Sequence, residues 1–293
     1  MRRGRYYLGR VVKINLDQKS LMDAMTNAPT ITIGKFDWTI TDIEDNREDE
    51  FPYVFGKLSK YAKDGHAKVI DEISRSQVDT DVPNLLEASS SFVYLPECSG
   101  IAFLHVWNGI QEDIFPRRFK SVIEGAFDGF MVACDVEPIS DYRAFTSRLK
   151  RLSHFTEFSA TVFPPNPLFG RLWGNLNEYI NRRNASEVAI KEQTSELKGL
   201  KSKIVELMDR IMESPDYEPE EIPAIGDAAI LMAADGYGRG KVVGIEKGDE
   251  VVIKTSDTQK SFLHEKEPKP LELAIKAKSQ FDKVSNERDM KHQ

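Results

Sequence analysis

The sequence predicts an α+β fold: a mixed-sheet α/β domain with hairpins, followed by a helical segment and a small β module. Between Phe92 and Phe163, short runs rich in β-branched and aromatic residues alternate with helical periods of about 12–15 residues. After Phe163-Pro164-Pro165-Asn166-Pro167, an extended punctuation of the chain, apolar residues recur every seven positions. Beyond Pro223, three apolar runs are separated by glycine turns. The expected divisions are residues 1–167, 168–214 and 224–264, with a charged tail at 265–293.

Residues 6–14 read as a strand and 18–25 as a short helix. Residues 30–43 alternate as a second strand, with Ile31, Ile33, Trp38 and Ile40 facing inward. The acidic stretch DIEDNREDE at 42–50 is a solvated loop. Segments 51–61 and 66–70 suggest a hairpin turning at Asp64-Gly65. The polar stretch 74–87, which contains Pro83, is either a loop or a short helix. SFVYL and GIAFLHVW are strands joined by the turn Pro96-Glu97-Cys98-Ser99-Gly100. A helix follows, with Asp113 as its N-cap and Pro116 in its first turn. Phe115, Phe119, Val122, Ile123 and Ala126 share its apolar face, opposite Arg117, Ser121 and Glu124. After the strand FMVACDV, a second helix capped by Ser140 buries Tyr142, Phe145, Leu149 and Leu152 and turns Arg143, Lys150 and Arg151 outward. The strand FTEFSATVF closes the domain.

Residues 168–183 suggest a helix, with Trp173 and Tyr179 packing back on the domain. Asn184 and Glu187 match a capping box opening the next helix. In it Ile190, Leu197, Ile204 and Ile211 fall seven apart, with Leu200 and Leu207 between them. Such a stripe predicts a coiled coil through which the chain self-associates as a homodimer. An acidic linker at 215–223 leads to AAILMAA, GRGKVVGI and EVVIKTS, which suit a β-meander or an SH3-like barrel.

At 293 residues the chain can bury one large core or two modest ones, and 40% hydrophobic with 30% charged residues is a soluble globular composition. No apolar run approaches the ~18 residues of a membrane span, and MRRGRYYLGR lacks the apolar centre of a signal peptide. A cytoplasmic location is expected. Cys98 and Cys134 make neither a disulfide framework nor a zinc site, and none of the five histidines pairs at metal-ligand spacing. No metal or cofactor is expected. Gly236, Gly238 and Gly240 lead into a strand, whereas a phosphate loop needs its glycines to open onto a helix N-terminus. Arg148 and His154 stand at a spacing that small helical ribonucleases use for phosphate stabilisation and proton transfer. Here His154 leads straight into a strand, so no catalytic residue is assigned and a nuclease stays an alternative.

The net charge of −7 argues against a uniform coat for a polyanion, but the cations are clustered. Arg2, Arg3, Arg5, Arg10 and Lys13 interleave with Tyr6 and Tyr7. Arg117, Arg118 and Lys120 form a second set, and Arg143, Arg148, Lys150 and Arg151 a third. Arginines contact phosphates and neighbouring aromatics stack on bases, so these residues predict weak, sequence-nonspecific nucleic-acid binding. A protein-interaction scaffold is the alternative from another class.

The order of GKFDWTITDIED, the hairpin SFVYLPECSGIAFLHVWNG and the helix–strand–helix–strand after it resembles the RexA-type phage-exclusion proteins and the KwaB-type subunits of the Kiwa defence system. The resemblance spans residues 5–165. It implies a role in bacterial phage defence or exclusion, DNA binding without strong sequence preference, and dimerisation, with no family residue transferable position by position.

Overall fold

The structure, a computed structural model, describes residues 2–127 and 132–292. Its first half comprises β1 (Arg3–Ile14), α1 (Gln18–Thr26), β2 (Ile31–Ile33), β3 (Phe36–Asp45), β4 (Val54–Asp71), β5 (Ser76–Leu95) and β6 (Gly100–Leu104). Then come α2 (Ile114–Gly125), β7 (Ala133–Pro138), α3 (Tyr142–Leu149), β8 (His154–Val162), β9 (Leu168–Phe169), α4 (Gly174–Arg183) and β10 (Val188–Gln193). The chain closes with α5 (Ile204–Glu213), α6 (Ile225–Met232), β11 (Gly238–Glu246), β12 (Asp249–Lys254), β13 (Ser261–Glu265), α7 (Pro270–Glu287) and β14 (Lys291–His292). The fold is α+β. Among the described residues no helix is long and apolar enough to cross a membrane.

The larger sheet runs β13-β1-β6-β5-β4-β3-β2, with β7 sharing the β13 edge of β1. The expectation of a mixed sheet is corrected, because every strand pair among the described residues is antiparallel. The strand–helix–strand texture has a physical source. β6 and β7 run in the same direction and are joined over α2, but β1 lies between them, so a β-α-β unit is split by an antiparallel strand.

Period-two alternation gives this sheet two buried faces. Val11, Phe92, Tyr94, Ile101 and Phe103 face α1 and α2, while Tyr6, Leu8, Val93, Leu95 and Ala102 face the rest of the molecule. Phe103 stacks on Phe115 at 4.2 Å, and Phe92 meets Phe119 edge-on at 5.5 Å, so α2 is held by aromatic packing as its periodicity predicts. Its N-cap position is Asp113. The cap of α3 is Asp141, which accepts from the Ala144 amide; Ser140, expected there, is buried and donates to the Thr255 carbonyl. Phe130 and Met131 of the expected strand FMVACDV lie outside the described residues.

The β4–β5 pair departs from expectation. No turn forms at Asp64-Gly65; the strands run on and reverse at 72–75, where Arg75 has φ 53°. A side chain at Gly65 would collide with Leu85, so this glycine marks close strand approach and not a turn. Residues 74–87, expected as loop or helix, are strand. Past Tyr61, where pairing to β3 ends, the two strands continue alone as a ribbon about 30 Å long. One ribbon face carries Lys68 opposite Asp79 and His66 bonded to Asp81 at 2.7 Å; the other carries Ala67, Val69, Val78 and Val82.

The second half differs most. The helix expected through Ile190 and Ile211 is β10, a connection, and α5. Val188, Ala189 and Ile190 pair with the edge of β8, and Gly199 at φ 72° passes close to the Phe155 carbonyl, so the seven-residue spacing is cut in two. Ile204, Leu207 and Ile211 are buried against the chain's own core, Ile190 and Leu200 are half-buried, and Leu197 is 94% exposed. Among the described residues these positions form no coiled-coil seam. Residues 168–183 hold a two-residue strand and a short helical turn before α4, with Trp173 buried but Tyr179 51% exposed. Asn184 ends α4 in the left-handed conformation and starts no helix.

The region 224–264 is not a separate module. Its run AAILMAA lies largely in α6, buried from Gly226 to Met232, a helix that an all-apolar stretch does not distinguish from a strand. β11 pairs with β8 in the second sheet, β10-β8-β11-β12, and β13 pairs with β1. The expected tail is α7, which buries Leu273, Ala274, Ala277, Phe281 and Val284.

A buried polar network joins these parts. Asp235 accepts from Tyr142 Oη and Arg288 Nη1, each at 2.7 Å, and from Trp173 Nε1 at 2.7 Å. Arg288 also donates to the Ser140 carbonyl and lies 3.9 Å over the Tyr142 ring. Every partner comes from a different segment, so the network ties α3, the 171–173 turn, the end of α6 and the residue after α7 into one core.

Candidate functional site

A cleft of about 570 Å³ runs along the free edge of β7, between α2 and the outer face of the second sheet. Strand alternation puts Asp135 and Glu137 together on this edge, two residues apart. Lys120, one α-helical turn beyond Pro116, reaches Asp135 at 3.0 Å from the α2 side. Arg239 reaches Glu137 at 2.8 Å and Asp135 at 3.1 Å from β11. Arg117, Lys241 and Lys254 complete the cationic lining, with Ser159, Thr161, Thr255 and Ser256 supplying hydroxyls.

Register builds the sheet wall. Lys191 of β10, Ser159 of β8, Lys241 of β11 and Lys254 of β12 form one continuous row of paired positions, and Arg239 beside Thr161 stands in the next. Glu157 bridges Lys241 at 2.6 Å and Lys191 at 3.2 Å, and its hydrogen bonds from Lys241 and then Lys191 lower its pKa. Lys254 makes no ion pair among the described residues.

Glu137 is 1% exposed; burial lifts its carboxyl above the ordinary glutamate range, with the Arg239 hydrogen bond pulling the other way. A carboxyl raised on folding adds stability below its unfolded value of about 4.3 and loses that contribution as pH rises through the folded value. The stability of the wild type minus that of Glu137→Gln is therefore expected to fall as the pH rises above about 4. Parallel urea titrations check this; a difference that grows with pH would mean that the arginine outweighs burial.

The basic sets chosen from sequence scatter. Arg2, Arg3 and Arg5 are exposed at the start of β1, and Arg5 bonds Ser261 Oγ at 3.2 Å. Arg10 is corrected outright. It is fully buried, donating to the carbonyls of Asp235 at 2.9 Å and Cys98 at 2.8 Å, and no phosphate can reach it. Lys13 is half-buried on Gln18 and Ser99, and Arg118 lies over the Trp38 ring at 5.4 Å. On α3 and just beyond it, Arg143 is exposed, while Arg148, Lys150 and Arg151 pair with Asp257, Asp209 and Glu246. Of these residues Arg117, paired with Asp113 at 2.7 Å, and Lys120, paired with Asp135, line the cleft. His154 contacts Ser153 and Arg148 contacts Asp257, so the two do not converge.

Arg239, Lys241, Lys254 and Lys191 escaped sequence reading because they come from three strands, one of them, β10, far from the β11–β12 hairpin in the chain. The one local signal was Arg239-Gly240-Lys241, a period-two pair of cations on a strand. Both cysteines are buried, and burial pushes the Cys98 thiol up to about 11. Among the described residues no cluster of three or more metal-ligating side chains could hold an ion. No protein-family model matches the chain, and no curated protein matches it.

Proposed function

We propose that the protein is a non-enzymatic, nucleic-acid-binding component of bacterial phage defence or exclusion, working in the cytoplasm, with the β7-edge cleft as its phosphate-binding surface. The observation that carries this is the row of Lys191, Lys241 and Lys254 beside Arg239, facing Arg117 and Lys120 across the cleft. Cations held in register with hydroxyls between them suit a phosphate backbone and contain nothing that reads base edges. The carboxylates that now neutralise them would be exchanged for phosphates, which keeps binding weak. The defence context rests on the resemblance to the RexA-type and KwaB-type proteins.

The test is a fluorescence-anisotropy titration at 50 mM salt. With about four phosphate contacts, the log–log salt slope should be near −3 to −4. Arg239→Glu/Lys241→Glu/Lys254→Glu should abolish retention. Arg143→Glu/Lys150→Glu/Arg151→Glu should cost less, because none of those three cations lines the cleft. Absent wild-type retention, or equal binding by the cleft variant, would overturn the assignment.

The ribbon supports a second reading, self-association as part of an interaction scaffold. Exposed two-stranded ribbons are marginal alone and template pairing with another chain. Two copies related by a two-fold axis would cover both apolar stripes at once. This moves the dimer surface from the heptad residues to Val69 and Val78. Light scattering at micromolar concentration should give a dimer that Val69→Lys/Val78→Lys dissociates; a monomeric wild type removes this reading.

A further inference from the structure

We infer that the bound nucleic acid is single-stranded and that Trp107 is the platform on which one of its bases stacks. This deepens the cleft assignment and rests on it. Trp107 is 77% exposed, unlike the buried Trp38 and Trp173. It is nevertheless fixed. The Val106 amide donates to the Ile110 carbonyl at 2.9 Å and the Gly109 amide to the Val106 carbonyl at 3.0 Å, closing a tight loop with Trp107 near its tip. Its ring lies 5.5 Å from His105, which lies 6.0 Å from Tyr7, which lies 6.2 Å from Phe103. Phe103 in turn belongs to the core stack, so the indole ends an aromatic ladder anchored in the interior.

Charge surrounds the platform. Arg3 and Arg5 are exposed on the same face of β1 as Tyr7, by strand alternation. His105 Nδ1 bonds Glu112 at 2.6 Å, and Glu112 also lines the cleft, so the aromatic ladder and the cationic row border one continuous surface. A strand crossing it would lay phosphates along Arg239, Lys241 and Lys254 and present a base to Trp107, with Arg3 and Arg5 beyond. A duplex cannot do this, because its paired bases offer no open π-face at the side. Stacking is sequence-tolerant, since every base has such a face.

The experiment uses the full chain with three fluorescein-labelled probes of 20 nucleotides: a thymidine strand, the matching duplex, and a strand of abasic sites. Wild type should bind the thymidine strand tighter than the duplex. Trp107→Ala should weaken the thymidine strand roughly 5- to 150-fold, the loss of one stacked base, and leave the duplex and the abasic strand unchanged. Trp107→Phe should retain most of the affinity. If Trp107→Ala binds the thymidine strand as wild type does while the Arg239/Lys241/Lys254 reversal abolishes binding, the platform is wrong and the cleft stands. An equal loss on all three probes also overturns the platform. If wild type retains none of the probes, the cleft assignment itself fails.

Discussion

Asp235→Ala is expected to destabilise the fold by about 3–5 kcal/mol, because removing one member of a buried ion pair strands the other. Asp235 and Arg288 are both essentially inaccessible, 2.7 Å apart, and Asp235 is also the acceptor for Tyr142 and Trp173. For a chain of this size the melting temperature should drop by roughly 6–20 °C. Asp235→Leu/Arg288→Met should be less costly than the sum of the single changes, since it leaves no orphaned charge. Urea denaturation of the wild type, Asp235→Leu, Arg288→Met and the double variant forms the cycle. A single variant within about 1 kcal/mol of wild type, or strict additivity, would mean that the network does not hold the segments together.

Gly238→Ala should cost about 3 kcal/mol through two separate effects. Its φ of 155° is unfavourable for a residue with a side chain, worth about 1–2 kcal/mol. The added methyl would also collide with the Thr161 carbonyl and stand 2.9 Å from Val162 Cα, and such overpacking costs about 1–3 kcal/mol. The neighbour it strikes is backbone, so β8 and β11 must part. Gly248→Ala is the control: its φ is 96°, yet nothing lies within 4 Å, so only the conformational cost should appear. Thermal melts separate the two. Nucleic-acid retention should fall with Gly238→Ala and persist with Gly248→Ala, because β11 carries Arg239 and Lys241.

The α+β class and the elements from Phe92 to Phe163 are legible because each is self-contained. The apolar period of α2 and the alternation of Phe92, Val93, Tyr94 and Leu95 record which atoms leave water, whatever they pack against. The heptad stripe shows the limit of this logic. Ile190 and Ile204 are both apolar because both approach the core, one from a strand and one from a helix, and periodicity alone joined them. The ribbon shows another: beyond Tyr61 both faces are largely solvated, so polar alternation at 74–87 carried little apolar signal. The cleft was illegible for a different reason. Lys191, Lys241 and Lys254 are unremarkable surface lysines in their own segments, and only antiparallel register aligns them.

By itself the sequence determined what depends on neighbours a few residues away: the strand and helix runs of the first half, the burial of α2, and the aromatic content around Tyr7 and Trp107. Tertiary structure alone decided what depends on which strands pair. It buried Arg10 and Arg288, absorbed the region 224–264 into both sheets, and turned scattered cations into one surface. The physical reason is that local patterns encode burial, whereas charge becomes a site only through distances between segments, and those are set by long-range pairing.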